Sequence, residues 1–322
     1  GNNKKAIGTT MFATNEVVAH LQNNMPSNQW QDVSLDNKKE IFQKVAEQLH
    51  QNQSKLFYLL ATEAGKTLKD ADAEVREAID FVNYYVCEGE KAFSPRKLTG
   101  PTGENNYLSH EAKGNFLCIS PWNFPLAIFV GQITAALVAG NNVIAKPAED
   151  TSIIAYEVIK IFHNAGIPKE ALQLVIAEKE VSDELTKLNW LSGIAFTGSS
   201  EAAKKINLNL AMSEGPIKTF IAETGGLNAM FVDSSALKEQ VIDDIIRSAF
   251  LSAGQRCSAL RVVYVQDDVA DEYWDYLVEA MQELSQGDPI NLDVDIGPII
   301  NKSSLEKLVA HASSLKKKKF RF

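Results

Sequence analysis

Apolar residues recur at Ile41, Phe42, Val45 and Leu49, three or four positions apart, which puts them on one face of an α-helix over residues 34–51. Ser34 supplies the side chain of an N-cap for it. A second helical stretch, residues 54–64, stops at Gly65, and a third covers residues 68–93. Together they predict a helical layer at the start of the chain. Over residues 107–119 the pattern changes to a weak alternation with Lys113-Gly114-Asn115 in its middle, which predicts a β-hairpin.

After the turn Ser120-Pro121-Trp122-Asn123-Phe124-Pro125, an apolar helix is expected over residues 126–139, closed by Gly140. Strands at 142–146, 172–176, 193–197 and 218–222 then alternate with helices at 152–164, 182–188 and 201–212. Such alternation means βαβ units and a parallel sheet, hence an α/β fold. A new set begins near Asn228: strand 229–232, helix 237–253, a turn at Cys257, strand 261–265 and helix 269–284. The boundary is therefore expected between residues 222 and 228, giving domains at 1–225 and 226–322.

Composition narrows the function classes. The chain has 322 residues, 45% hydrophobic and 23% charged, ordinary for soluble globular domains and long enough for about two. A net charge of −9 argues against nucleic acid as a partner, and the one basic run, Lys316 to Lys319, reads as a solvated helix end. No apolar stretch has the length of a membrane helix. Three cysteines without CxxC spacing give neither a disulfide framework nor a metal site, so a reduced, cytoplasmic setting is expected. Residues 1–10 lack both an initiating Met and an apolar signal core, and no closing element precedes Phe322, so a piece of a longer polypeptide is expected.

Candidate chemistry centres on Cys257, in Ser252-Ala253-Gly254-Gln255-Arg256-Cys257-Ser258-Ala259-Leu260. An isolated Cys is usually a small buried hydrophobe. Small flanking residues, and Glu223 upstream in Ala222-Glu223-Thr224-Gly225-Gly226, suggest instead a nucleophile with a separate general base. None of the five histidines is near Cys257 in sequence, which makes a Cys-His protease a weak competitor. Asn123, in a turn bounded by two prolines, is placed either for a structural Asx turn or to aim its amide at a developing oxyanion. The chain has no GxGxxG. It does have Thr197-Gly198-Ser199-Ser200 between a strand and a helix, which suits a pyrophosphate or a simple N-cap. Lys146-Pro147-Ala148-Glu149 follows another strand in the same way, and open parallel sheets bind ligands at that edge.

Taken together, the Ser120–Pro125 turn, Phe196-Thr197-Gly198-Ser199-Ser200 and the Cys257 segment resemble the aldehyde dehydrogenase superfamily. The resemblance implies a Rossmann-like NAD-binding domain, a second α/β catalytic domain, and a protruding hairpin at about 105–119 that pairs subunits of a homo-oligomer. It implies Cys257 as nucleophile, Asn123 with the Cys257 backbone N–H as oxyanion hole, and Glu223 as the base that hydrolyses a thioester. Relatives that pass the acyl group to coenzyme A generally lack this Glu. Trp122, Lys146, Glu149, Gly198 and Ser199 become cofactor contacts, with Glu149 on the ribose 2′-OH favouring NAD over NADP. Residues 222–230 and 252–261 narrow the resemblance to the L-glutamate γ-semialdehyde (1-pyrroline-5-carboxylate) dehydrogenase domains of bacterial proline utilization A proteins. There Ser258 and Phe124 contact the substrate, Glu77 matches a carboxylate at the entrance, and a proline dehydrogenase domain with FAD is the fusion partner. Leu227 departs from the Gln that relatives often carry. The family's second Glu, its carboxylate-anchoring loop and its closing β-arm are expected beyond Phe322. The alternatives are an aldehyde dehydrogenase of other substrate specificity and, from a different class, a non-catalytic binding or scaffold domain.

Overall fold

The computed structural model describes residues 6–27 and 29–317, in two compact units: residues 6–59 with 72–224, and residues 60–71 with 225–317. A single division after residue 225 misses the excursion of 60–71 into the second unit. The chain ends and most of the Lys316–Lys319 run lie outside the described residues.

The chain opens with α1 (Asn15–Asn23), α2 (Leu35–Gln51), α3 (Gln53–Ala64) and α4 (Leu68–Phe93). In α2 the Ser34 hydroxyl accepts from the Asn37 N–H at 3.3 Å, and Phe42, Val45 and Leu49 are fully buried. α1 was not expected; it is nine residues long and buries only Val18 and Leu21. β1 (Arg96–Leu98) and β2 (Asn106–Leu108) pair antiparallel, with Arg96 opposite Leu108.

The hairpin expected over 107–119 is therefore displaced. β3 (Asn115–Ile119) is no hairpin arm; it is the middle strand of a parallel sheet, with all five residues buried. Its continuous apolar run fits a strand covered on both faces. Gly114 takes the turn into it at φ +132°, and a Cβ there would lie 2.4 Å from the Ser192 hydroxyl, so glycine is required on both counts.

The expected alternation follows: α5 (Ala127–Val138), β4 (Asn142–Lys146), α6 (Ser152–Ala165), β5 (Leu172–Leu174), α7 (Lys179–Leu185), β6 (Leu191–Gly198), α8 (Ser200–Ala211) and β7 (Thr219–Thr224). The sheet runs β5-β4-β3-β6-β7, all parallel. Side chains alternate across it. Leu117, Ile119, Ile144, Ile194 and Phe196 meet α1, α7 and α8 on one face, while Cys118 on the other directs its thiol at the Gln132 carbonyl of α5. The start of α5 has no side-chain cap of its own. Glu74 of α4 takes that place: its Oε1 accepts from the Leu126 and Ala127 N–H groups at 2.9 and 3.2 Å.

The second unit holds β8 (Asn228–Val232), α9 (Lys238–Phe250), β9 (Leu260–Val265), α10 (Ala270–Gln282) and α11 (Lys302–Lys317). β8 and β9 pair in parallel over a core of Val232, Ile242 and Tyr273. Among the described residues, no helix is long and apolar enough to cross a membrane, and no group of His, Cys, Asp and Glu is arranged as a metal site.

Candidate active site

The order of the strands locates a crevice in the first unit. From β3 the chain lays β4 and β5 to one side, then returns to place β6 and β7 on the other. Loops leaving β3 and β6 diverge at this reversal, where open α/β sheets bind ligands. The two loops are the Ser120–Pro125 turn and the one that begins α8. Gln132 of α5 ties them together: its Nε2 donates to the Ile119 carbonyl at 3.3 Å and to the Thr197 hydroxyl at 3.0 Å, and its Oε1 accepts from the Ser120 hydroxyl at 2.8 Å. Trp122, Asn123 and Phe124 are half-buried in the first loop. Gly198 closes β6, and the Ser199 hydroxyl caps α8 by accepting from the Ala202 N–H at 3.1 Å. The N-cap reading thus holds for that oxygen, while the hydroxyl hydrogen is not used in the bond.

Lys146 ends β4 only 6% exposed, with its Nζ 3.5 Å from Oε1 of half-exposed Glu149. Burial pushes the Lys146 ammonium down, and the Glu149 charge opposes that shift. The strand expected over 218–222 ends two residues later than expected, at Thr224, and so takes in Glu223. Glu223 lies opposite Thr197, with its side chain exposed at the carboxyl edge. Tyr85 of α4 is half-buried, and its phenol is pushed up first by burial, then by Tyr84 and by the Glu223 charge. It is therefore within electrostatic reach of Glu223. Glu77 is exposed on the same helix. The carboxyl ends of four adjacent strands thus gather Lys146 and Glu149, residues 122–124, Gly198 and Ser199, and Glu223.

Cys257 and Ser258 belong to the second unit, and both are exposed. α9 stops at Phe250, three residues short of expectation, because the chain turns left-handed: φ is +54° at Ser252, +55° at Ala253 and +68° at Gly254. A Cβ at Gly254 would lie 2.8 Å from the Ala249 carbonyl. Five side chains clamp the segment. Asp70 Oδ2 accepts from the Ser252 N–H at 3.0 Å. Gln255 donates to the Ser252 and Pro298 carbonyls at 3.2 and 3.3 Å and accepts from the Ile300 N–H at 2.9 Å. Arg256 reaches the Arg247 and Ser248 carbonyls at the end of α9, at 2.9 and 2.8 Å. Arg261 holds the Gly254 and Arg256 carbonyls at 2.9 and 3.1 Å, and Asn228 holds those of Cys257 and Ala259 at 2.8 and 2.9 Å. The backbone is fixed and the thiol faces solvent. Cys118, in contrast, is fully buried and its thiol is pushed up to about 12, so it is inert as a nucleophile.

Glu74, Gln132, Asp70, Asn228 and Arg261 were not anticipated. Glu74, Asp70 and Asn228 act on backbone distant in sequence, Gln132 reaches the Thr197 hydroxyl, Arg261 holds the turn just before it, and no local pattern marks them.

The aldehyde dehydrogenase family pattern matches residues 3–322. The bifunctional protein PutA of Salmonella typhimurium is 45% identical over 282 residues, which is 86% of this chain and 20% of that protein. The 1-pyrroline-5-carboxylate dehydrogenase 1 of Halalkalibacterium halodurans is 33% identical over 292 residues, 89% of this chain and 57% of that one. A solved structure of proline utilization A with proline bound in remote sites superposes with a TM-score of 0.93 at 45% identity, covering 96% of this chain and 32% of the other. An aldehyde dehydrogenase from Brucella melitensis biovar abortus gives 0.92 at 26%, covering 98% and 66%. The chain spans about a fifth of the length of the PutA relative and somewhat over half of the dehydrogenase. With the pattern matched along nearly its whole length, and the same fold in solved relatives, the chain belongs to the aldehyde dehydrogenase family.

Proposed function

We propose that the full-length protein oxidises L-glutamate γ-semialdehyde, the open form of 1-pyrroline-5-carboxylate, to L-glutamate with NAD. The observation that carries this reading is the exposed Cys257 on its clamped turn, in a chain 45% identical to a PutA protein. The crevice residues fit a dinucleotide. A buried ammonium beside a half-exposed carboxylate, Lys146 and Glu149, offers a donor and an acceptor to ribose hydroxyls, and α8 begins at Gly198-Ser199 with the N–H groups of a helix start. Trp122 is the further cofactor contact.

In this mechanism the Cys257 thiolate attacks the aldehyde carbon, forming a C–S bond and an oxyanion. Asn123 and the Cys257 N–H donate to that oxygen, a kind of contact worth about 3 kcal/mol per donor in acyl-transfer sites. Loss of hydride from the thiohemiacetal carbon, for which a bound nicotinamide supplies the acceptor, leaves a thioester on Cys257. Glu223 then takes a proton from water, the water attacks the thioester carbon, and glutamate leaves as the C–S bond breaks. Ser258 meets the substrate α-carboxylate and Phe124 packs on its methylene chain. Glu149 accepts from the ribose 2′-OH and repels a 2′-phosphate, which favours NAD over NADP. The β1–β2 ribbon serves subunit pairing, and the setting is cytoplasmic, with a proline dehydrogenase domain carrying FAD as fusion partner. The test is NADH formation by the full-length protein on glutamate semialdehyde against a series of uncharged aldehydes. Faster turnover of the uncharged series would defeat the substrate assignment.

A further inference from the structure

The left-handed run before the nucleophile has a single carboxylate behind it. Among the described residues, Ser252 and Ala253 are the only non-glycine positions with positive φ. That conformation is disfavoured for any residue with a Cβ, and it persists only where surrounding contacts impose it. The Ser252 N–H at its start donates to Asp70 Oδ2 at 3.0 Å across 182 positions of sequence. Both residues are buried, Asp70 at 8% exposure and Ser252 at 9%, so water does not substitute for the bond. Asp70 is itself fixed in the first turn of α4, where its N–H donates to the Thr67 hydroxyl at 3.2 Å. Of the five clamps, Asp70 is the one on an N–H of the run: Gln255 and Arg261 hold its Ser252 and Gly254 carbonyls, Arg256 ties the turn to the end of α9, and Asn228 lies beyond Cys257.

From this arrangement we infer that Asp70 is a positioning residue for the nucleophile: its carboxylate holds the Ser252 N–H and so keeps residues 252–254 left-handed, which sets the direction in which the Cys257 thiol leaves the turn. The inference rests on the reading of Cys257 as nucleophile. Asp70 touches neither substrate nor cofactor and takes no proton in the reaction. Its effect passes through backbone alone, and this gives it a signature that a general stabilising contact lacks. Glycine accepts positive φ without a penalty, so Ala253→Gly relieves one of the two disfavoured positions and lessens the need for the hold.

The test uses the full-length protein and reads the rate of iodoacetamide alkylation at the peptide carrying residue 257, beside kcat and the KM for NAD. Asp70→Ala should slow alkylation and lower kcat, each by about tenfold or more, the scale expected for small misplacements of a reacting group. The KM for NAD should stay within about twofold, as expected when ground-state binding is untouched. Asp70→Asn keeps an oxygen to accept the same N–H and should stay within about threefold of wild type. Ala253→Gly in the Asp70→Ala background should restore part of both rates, about threefold or more. Unchanged alkylation in Asp70→Ala would overturn the inference, and so would an Asn variant as slow as the Ala variant or a glycine that rescues nothing. If Asp70→Ala does not fold, Asp70→Glu takes its place, since one added methylene displaces the acceptor. It too should slow alkylation, and a wild-type rate would overturn the inference. The nucleophile reading fails separately, through an active Cys257→Ala.

Discussion

Cys257 and Cys118 carry the same thiol into opposite situations, one exposed on a clamped turn and the other sealed under α5 with its proton held to about 12. Cys257→Ala should therefore abolish NADH production while NAD affinity stays near wild type, and titration calorimetry beside the activity assay checks both. Retention of about a tenth of the activity would remove Cys257 from the role. Glu223→Gln should still form the thioester, so stopped flow should show a burst of NADH near one equivalent per site and then a stall. Steady turnover at the wild-type rate would assign the base elsewhere. For Glu149, a 2′-phosphate charge at about 4 Å and an effective dielectric near 20 meets a repulsion of about 4 kcal/mol before relaxation and screening. Even a quarter of that is several-fold in affinity, while Lys146 partly offsets it. Glu149→Gln should raise kcat/KM for NADP more than it lowers that for NAD, and an unchanged ratio would displace Glu149 from the ribose. The residues at stake here were visible as candidates in the sequence because short-range cues mark them: small neighbours at Cys257, prolines around Asn123, strand-to-helix turns at Lys146 and Ser199. Asp70 and Gln132 were not, since an Asp in a first helical turn or a Gln inside an apolar helix looks the same with or without its distant partner.

Among the elements, α5 depends on a neighbour. Its first N–H groups are buried and end on Glu74 of α4. Glu74→Ala would leave two buried donors unpaired at about 1–3 kcal/mol each, so urea denaturation should show a loss of about 2–6 kcal/mol at unchanged m-value. Glu74→Gln retains an acceptor and should lose much less. A full loss in the Gln variant would point to the charge and not to the cap. The parallel-sheet alternation was legible because each strand and helix shows its own period. The ribbon was misplaced because β1 and β2 are exposed three-residue strands with almost no pattern, while the buried run of β3 beside Gly114 imitates one arm of a hairpin.

For the whole molecule, the buried Lys146 carries a desolvation penalty, and under the proposed function it also serves binding. Burial favours the uncharged amine, so the folded protein holds this proton less firmly than the unfolded chain does, below the ordinary value of 10.5. The penalty is full below the folded value, and stability rises with pH through the window that leads up to 10.5. Lys146→Met should then raise Tm by a few degrees at neutral pH, with a gap that narrows in alkaline buffer, while NAD binding weakens. A lower Tm at neutral pH would mean that the Glu149 pair outweighs desolvation. The layout of the sheet also bears on synthesis. β3 gains β4 soon after it is made, yet its other edge waits for β6, whose Ser192 hydroxyl bonds the Asn115 N–H from 77 positions further on. At about 5–20 residues per second the ribosome needs roughly 4–15 s to deliver that partner. For those seconds a strand that is buried throughout in the finished sheet has a bare edge, and it is there that neighbouring nascent chains on one messenger would find each other.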